Sequence, residues 1–169
     1  MRNPLGYVGL VLAGANGGDQ ASPDGGILSG EKIVELPLDG LRLCVLSACD
    51  TGLGELTGGE GVEGLVRAFH LAGCPDVVAS LWQVNDAATA ALMNKFYHEM
   101  WVNKKSPGEA LRLAQLTIYR HPDLIPALAG ERGRLQLEKA VRGPAAAPMG
   151  ANRADTKLWA AFVLSGLGK

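Results

Sequence analysis

Cys49 closes a near-continuous apolar run, Leu41 to Cys49 (LRLCVLSAC), and is followed at once by Asp50-Thr51-Gly52. A sulfur nucleophile at that point has its backbone fixed by a strand and its side chain at the rim. Ser47, Ala48 and Gly52 are small and leave room for a substrate backbone. The amide N–H of Cys49 is placed to face an oxyanion, as donors do in acyl transfer. The thiolate is the reactive form, so the site needs a base or a positive field nearby. Position alone leaves a second reading open, a buried cysteine serving as a small hydrophobe. Cys44, mid-run, and Cys74, before Pro75, read as packing residues. None of the histidines, His70, His98 and His121, falls at an expected strand end. His70 reads as a packed or surface helix residue, and His98 as a solvated one. His121 reads as a helix-ending residue, where a protonated ring meets the carbonyl end favourably.

Other chemistries fit less well. The glycine-rich stretch after Cys49 has no Lys behind its glycines, so the phosphate-cradling P-loop pattern fails. The dinucleotide pattern is not met in frame between Gly52 and Gly64. No Cys/His cluster has metal-ligand spacing. The sequence therefore predicts neither cofactor nor metal. A net charge of −1 over 169 residues and 5% aromatics argue against nucleic acid as a partner. Three cysteines are not a disulfide framework, which favours a reducing, cytoplasmic setting. No apolar run approaches the roughly 20 residues of a membrane helix, so no membrane association is expected. The apolar start, Met1 to Ala15, is interrupted by Gly6, Gly9 and Gly14, which disfavours a signal peptide.

These residues need a scaffold. A composition of 47% hydrophobic and 20% charged residues suits one globular domain. Tyr7 to Ala13 reads as a strand, and residues 14–26 as a loop of turn-forming pairs. Ser29 is placed to cap a short helix reaching Leu36. Leu41 to Cys49 reads as a strand covered on both faces. Val62, Leu65, Val66 and Phe69 have helical spacing, and Gly73 closes that helix. Val77 to Leu81 is the next strand. Asn85 or Asp86 caps a helix from Ala87 to about Val102. Ser106-Pro107-Gly108-Glu109 opens another, which runs to about Tyr119 and stops at His121-Pro122. Residues 122–155 read as a loosely ordered insertion with one short helix near 132–141. Leu158 to Leu164 reads as a last strand. This order predicts an α/β sandwich with a mostly parallel sheet. Sites in such sheets gather at the carboxyl ends of strands, which brings Cys49 to Gly52 beside Trp82 to Asp86.

Several linked motifs give this chain a family resemblance. Ser47-Ala48-Cys49-Asp50-Thr51-Gly52-Leu53-Gly54-Glu55, then Gly59-Glu60-Gly61-Val62-Glu63-Gly64-Leu65, resembles the nucleophile segment of CHAT domains. These are caspase-like peptidase domains associated with tetratricopeptide repeats. The likeness continues through Val77 to Asp86 (VVASLWQVND) and ends in Trp159 to Gly166 (WAAFVLSG). Gly9 to Asn16 fits the segment ahead of the nucleophile. Nearly the whole chain is covered except 122–155.

The resemblance implies a caspase-like three-layer sandwich and a Cys-His dyad that hydrolyses peptide bonds, with Cys49 as nucleophile and oxyanion donor. The family's histidine sits in a His-Gly motif just before the Asn-Pro-Leu segment, which here is Asn3-Pro4-Leu5. The chain is therefore read as an N-terminally incomplete domain that lacks its first strands and its dyad histidine, and is inactive alone. In caspase-like folds the neighbouring strand builds the primary specificity pocket. Asp86, helped by Asp50, would there select Lys or Arg through a charge-assisted hydrogen bond. Helix capping is the competing role for Asp86. Trp82 would line the substrate groove or fill the core. Ser80 would offer backbone groups to an extended peptide. Protein or peptide substrates, and upstream tetratricopeptide-repeat or other regulatory domains, are the implied partners. A non-catalytic interaction module of the same fold is the alternative, and a nucleotide-binding α/β protein the weaker third.

Overall fold

A computed structural model describes residues 4–13, 15, 25–47, 60–82, 85–129 and 153–168. The described chain divides into two compact units. The first holds residues up to Trp82 together with Ser165–Leu167, and the second runs from Gln83 to Leu164 with Gly168–Lys169.

In the first unit a 3-10 turn, Pro4–Tyr7, leads into strand β1, Gly9–Val11. Strand β2, Ile27–Ser29, pairs antiparallel with β1, with Gly9 opposite Ser29 and Val11 opposite Ile27. The sequence gives no alternation long enough to reveal β2; three residues beside two glycines look like loop. Ser29 then caps helix α1, Gly30–Val34, its hydroxyl accepting from the Lys32 N–H at 3.4 Å. Strand β3 is Cys44–Leu46, shorter than the apolar run that contains it. Strand β4 is Val77–Ser80, and all four of its residues are buried. The two pair in parallel, Cys44 with Val77, Val45 with Val78 and Leu46 with Ala79.

Parallel neighbours need a crossover, and helix α2, Glu60–Leu71, lies in sequence between them. Its apolar residues recur at helical spacing: Leu65, Ala68, Phe69 and Ala72 are buried with Val8, Ile33, Leu46, Val77 and Ala79 in one core. Burying a Leu or Phe in this way stabilises by about 1.5–3 kcal/mol. The helix stops on a hydrogen-bonded turn. Gly73 N–H donates to the His70 carbonyl at 3.1 Å and Cys74 N–H to the Phe69 carbonyl at 3.0 Å. That pairing is a Schellman motif, which needs a left-handed residue between its two bonds. Gly73 supplies it with φ of 104°.

In the second unit Asn85 caps helix α3, Asp86–Trp101, by accepting from the Ala87 and Ala88 N–H groups at 3.0 and 3.3 Å. Helix α4 is Pro107–Arg120; Ser106 is its N-cap by position but makes no side-chain capping bond. Small and apolar residues face inward on both: Ala88, Ala91, Leu92 and Phe96 on α3, and Ala110, Leu111, Ala114 and Ile118 on α4. A 3-10 turn, Pro122–Leu124, passes into helix α5, Ile125–Ala129, whose Leu128 carbonyl accepts from Asn94 Nδ2 at 3.0 Å. The helix expected near 132–141 lies outside the described residues. Asp155 caps a short helix α6, Thr156–Trp159. The final apolar segment is thus a helical turn followed by strand β5, Phe162–Ser165, not one continuous strand. The first unit thus holds one antiparallel pair, β1-β2, and one parallel pair, β3-β4. The chain is α/β with a mixed content of helices and strands. No helix among the described residues is long and apolar enough to cross a membrane.

A methyl group on Gly73 would lie 2.6 Å from Asp39 Oδ1 and 2.9 Å from the Asp39 nitrogen. Gly73→Ala is expected to lower stability by about 1–3 kcal/mol through left-handed strain and this clash. Urea denaturation reads the change, and a loss under about 0.5 kcal/mol would contradict the assignment.

Candidate functional site

Strand β3 ends at Leu46, which is buried, and Ser47 after it is exposed. Cys49 and Asp50 follow three and four positions beyond Leu46 in sequence and lie outside the described residues. The glycine-rich stretch to Gly59 lies outside them too. What the described chain supplies is the frame: β3, α2 and β4, with Leu46 paired to Ala79 at the carboxyl end of both strands.

Three predicted site residues are described. Ser80 ends β4 and is only 1% exposed, so neither its hydroxyl nor its backbone faces solvent. Leu81 beside it is exposed at 43%. Trp82 is half-buried, and its indole Nε1 is buried with no hydrogen-bond partner among the described residues. An unpaired buried N–H costs about 1–3 kcal/mol. Asp86 belongs to the second unit, exposed in the first turn of α3. The cap is Asn85, so Asp86 is not held there by capping. Its charge still sits well at the positive end of the helix.

The cysteines within the frame are unreactive by environment. Cys44 is a half-buried free thiol pushed up to about 11 by burial and by the neighbouring Cys74. Cys74 is 1% exposed, and its S–H donates to the Asp76 carbonyl at 3.2 Å. Burial raises its pKa as well. Both fit the packing role read from the sequence.

Each histidine has a defined place. His70, in the last turn of α2, bonds the Cys74 carbonyl through Nδ1 at 2.8 Å and Ser165 Oγ through Nε2 at 2.9 Å. His98 is buried, not solvated as the sequence suggested. It lies on the inward face of α3, seven residues after buried Ala91. Its Nδ1 has no hydrogen bond among the described residues and stands 3.9 Å from Glu99 Oε1. Burial, with Lys95 assisting, holds its pKa below the ordinary value. Glu99 is buried as well; burial works against its charge, but Lys95 at 2.6 Å and Asn103 at 2.7 Å prevail and lower its pKa. His121 is the half-buried C-cap of α4. The His70–Ser165 contact joins residues 95 apart, and no local pattern could have announced it. Among the described residues no group of three or more His, Cys, Asp or Glu is placed to hold a metal ion.

Comparison with known proteins places this frame. The profile of the CHAT domain matches residues 2–167. Tetratricopeptide repeat protein 28 of Mus musculus is 32% identical over 100 residues, which is 57% of this chain and 4% of that protein. The chain thus spans a small fraction of that relative's length. No solved structure gives a significant match.

At pH 8, Cys44 and Cys74 are expected to react with iodoacetamide at least about tenfold more slowly than a cysteine in a short peptide. Cys44 should accelerate as the pH nears about 11. Quantitative peptide mapping follows each site, and peptide-like rates at pH 8 would show that the burial is wrong.

Proposed function

The chain belongs to the CHAT domain family, and on that footing we propose that it forms the nucleophile-bearing part of a caspase-like cysteine endopeptidase domain. The observation that carries this reading is the parallel β3-α2-β4 unit, whose first strand ends three residues before Cys49. Cys49 is the nucleophile, and its amide N–H helps hold the oxyanion. The other two thiols are raised by burial, so reactivity falls to Cys49.

The base is a histidine from a His-Gly segment, not one of the three in this chain. His70 already has both nitrogens engaged, and His98 is buried in the second unit. Their engagement also favours a second reading, in which this chain alone is a non-catalytic interaction module of the same fold. The substrate is an extended polypeptide. Leu81, exposed just beyond buried Ser80, and half-buried Trp82 are the parts of this strand end that it meets. Asp86, with Asp50, selects a Lys or Arg before the cleaved bond by charge-assisted hydrogen bonding. The relative's name supports tetratricopeptide-repeat regions as neighbours or partners. Free thiols at Cys44 and Cys74 support a reducing, cytoplasmic setting.

The test compares this chain with a longer polypeptide that adds a His-Gly segment ahead of Asn3, using peptides carrying Arg, Lys or Asp at the cleaved position. The longer polypeptide should cleave after Arg and Lys, and Cys49→Ala should remove about 10³-fold or more of the rate. This chain alone should be silent. A folded longer polypeptide that cleaves none of the peptides supports the interaction module. Preference for Asp would exclude the role given to Asp86.

A further inference from the structure

His70 and Ser165 form a second arrangement of nucleophile and base, separate from Cys49. The Cys74 carbonyl can only accept a hydrogen bond, so the His70 Nδ1 facing it at 2.8 Å carries the proton. In the neutral ring Nε2 is then left with its lone pair. That lone pair faces Ser165 Oγ at 2.9 Å, and the serine hydroxyl donates to it. A hydroxyl donating to an imidazole whose other nitrogen is held by an acceptor is the general arrangement of an activated serine.

The backbone favours the same reading. Ser165 is the last residue of β5, and Gly166 after it has φ of 131°, so the chain turns sharply off the strand at the hydroxyl. Gly166 packs against the Pro75 carbonyl and Asp76, leaving no space for a side chain. This fixes the Ser165 backbone beside the turn that carries Cys74. Both His70 and Ser165 are half-buried, so a small reagent reaches them.

We propose that Ser165 is a second nucleophile of this chain, activated by His70 and reactive toward small activated esters. Ser165 Oγ adds to the ester carbonyl carbon while its proton passes to His70 Nε2. The bond to the leaving alcohol breaks, and the leaving oxygen takes that proton. Water then attacks the acyl-serine, giving its proton to Nε2, and the regenerated Ser165 Oγ recovers it as the acid departs. A backbone carbonyl in place of a carboxylate fixes the tautomer but brings no charge to balance the imidazolium. Turnover is therefore slow and confined to good leaving groups.

The experiment treats the chain with a tagged fluorophosphonate and maps the adduct by mass spectrometry. Ser165 should be the labelled residue, equally in Cys49→Ala. His70→Gln should slow labelling by about 100-fold or more, the low end of a general base's contribution. Absence of label on wild-type Ser165 would overturn the proposal and leave the contact as a tie between α2 and β5. Wild-type rates in a folded His70→Gln would overturn it too.

Discussion

The parallel pairing of β3 with β4 sets where the chain leaves the sheet, and the chemistry proposed for this protein depends on that point. Three residue pairs define the register. A slip of one residue would turn every side chain of β3 to the opposite face and withdraw Leu46 from the core. The register is held from the other side by the α2–β4 turn. There Gly73 takes the left-handed position and the Asp76 carbonyl accepts from Cys44 N–H at 2.9 Å. The same carbonyl accepts the Cys74 S–H. One carbonyl thus ties the start of β3 and the thiol of the turn to the start of β4.

That arrangement divides the cysteines by environment. Burial favours the neutral thiol, so Cys44 and Cys74 contribute packing and little reactivity. A nucleophile belongs instead where the strand has ended and the backbone is still anchored. Cys49 occupies that place in the sequence. The histidines divide in the same way. His70 is committed to a carbonyl and a hydroxyl. His98 is set among Lys95, Glu99 and the core of the second unit, where burial opposes its protonation.

Much of this frame was legible in the sequence because its signals are local and strong. β4 reads as a buried strand since four consecutive apolar or small residues leave no polar face. α2 reads from its 3.6-residue spacing and from Gly73. The Ser29 cap and the Pro107 helix start were equally plain. The apolar run before Cys49 overstated β3, because hydrophobicity does not mark where pairing begins. Trp159 and its neighbours read as strand from their hydrophobicity, while Asp155, two positions before Lys157, is the capping signal that points to helix. His98 looks solvated between Tyr97 and Glu99, yet the spacing from Ala91 puts it on the covered face. The predicted site was only partly readable in this way. Ser80 proved sealed and Asn85 proved to be the cap, whereas Cys49 and Asp50 fall outside the described residues.

The most direct measurement of the account is covalent capture of Cys49, in the longer polypeptide that adds a His-Gly segment ahead of Asn3, by a peptidyl acyloxymethyl ketone with Arg next to the ketone, followed by intact mass and peptide mapping. The account predicts one adduct per chain, on Cys49, suppressed by excess Arg-containing peptide. An adduct shared among Cys44, Cys49 and Cys74, or none on a folded chain, would contradict it.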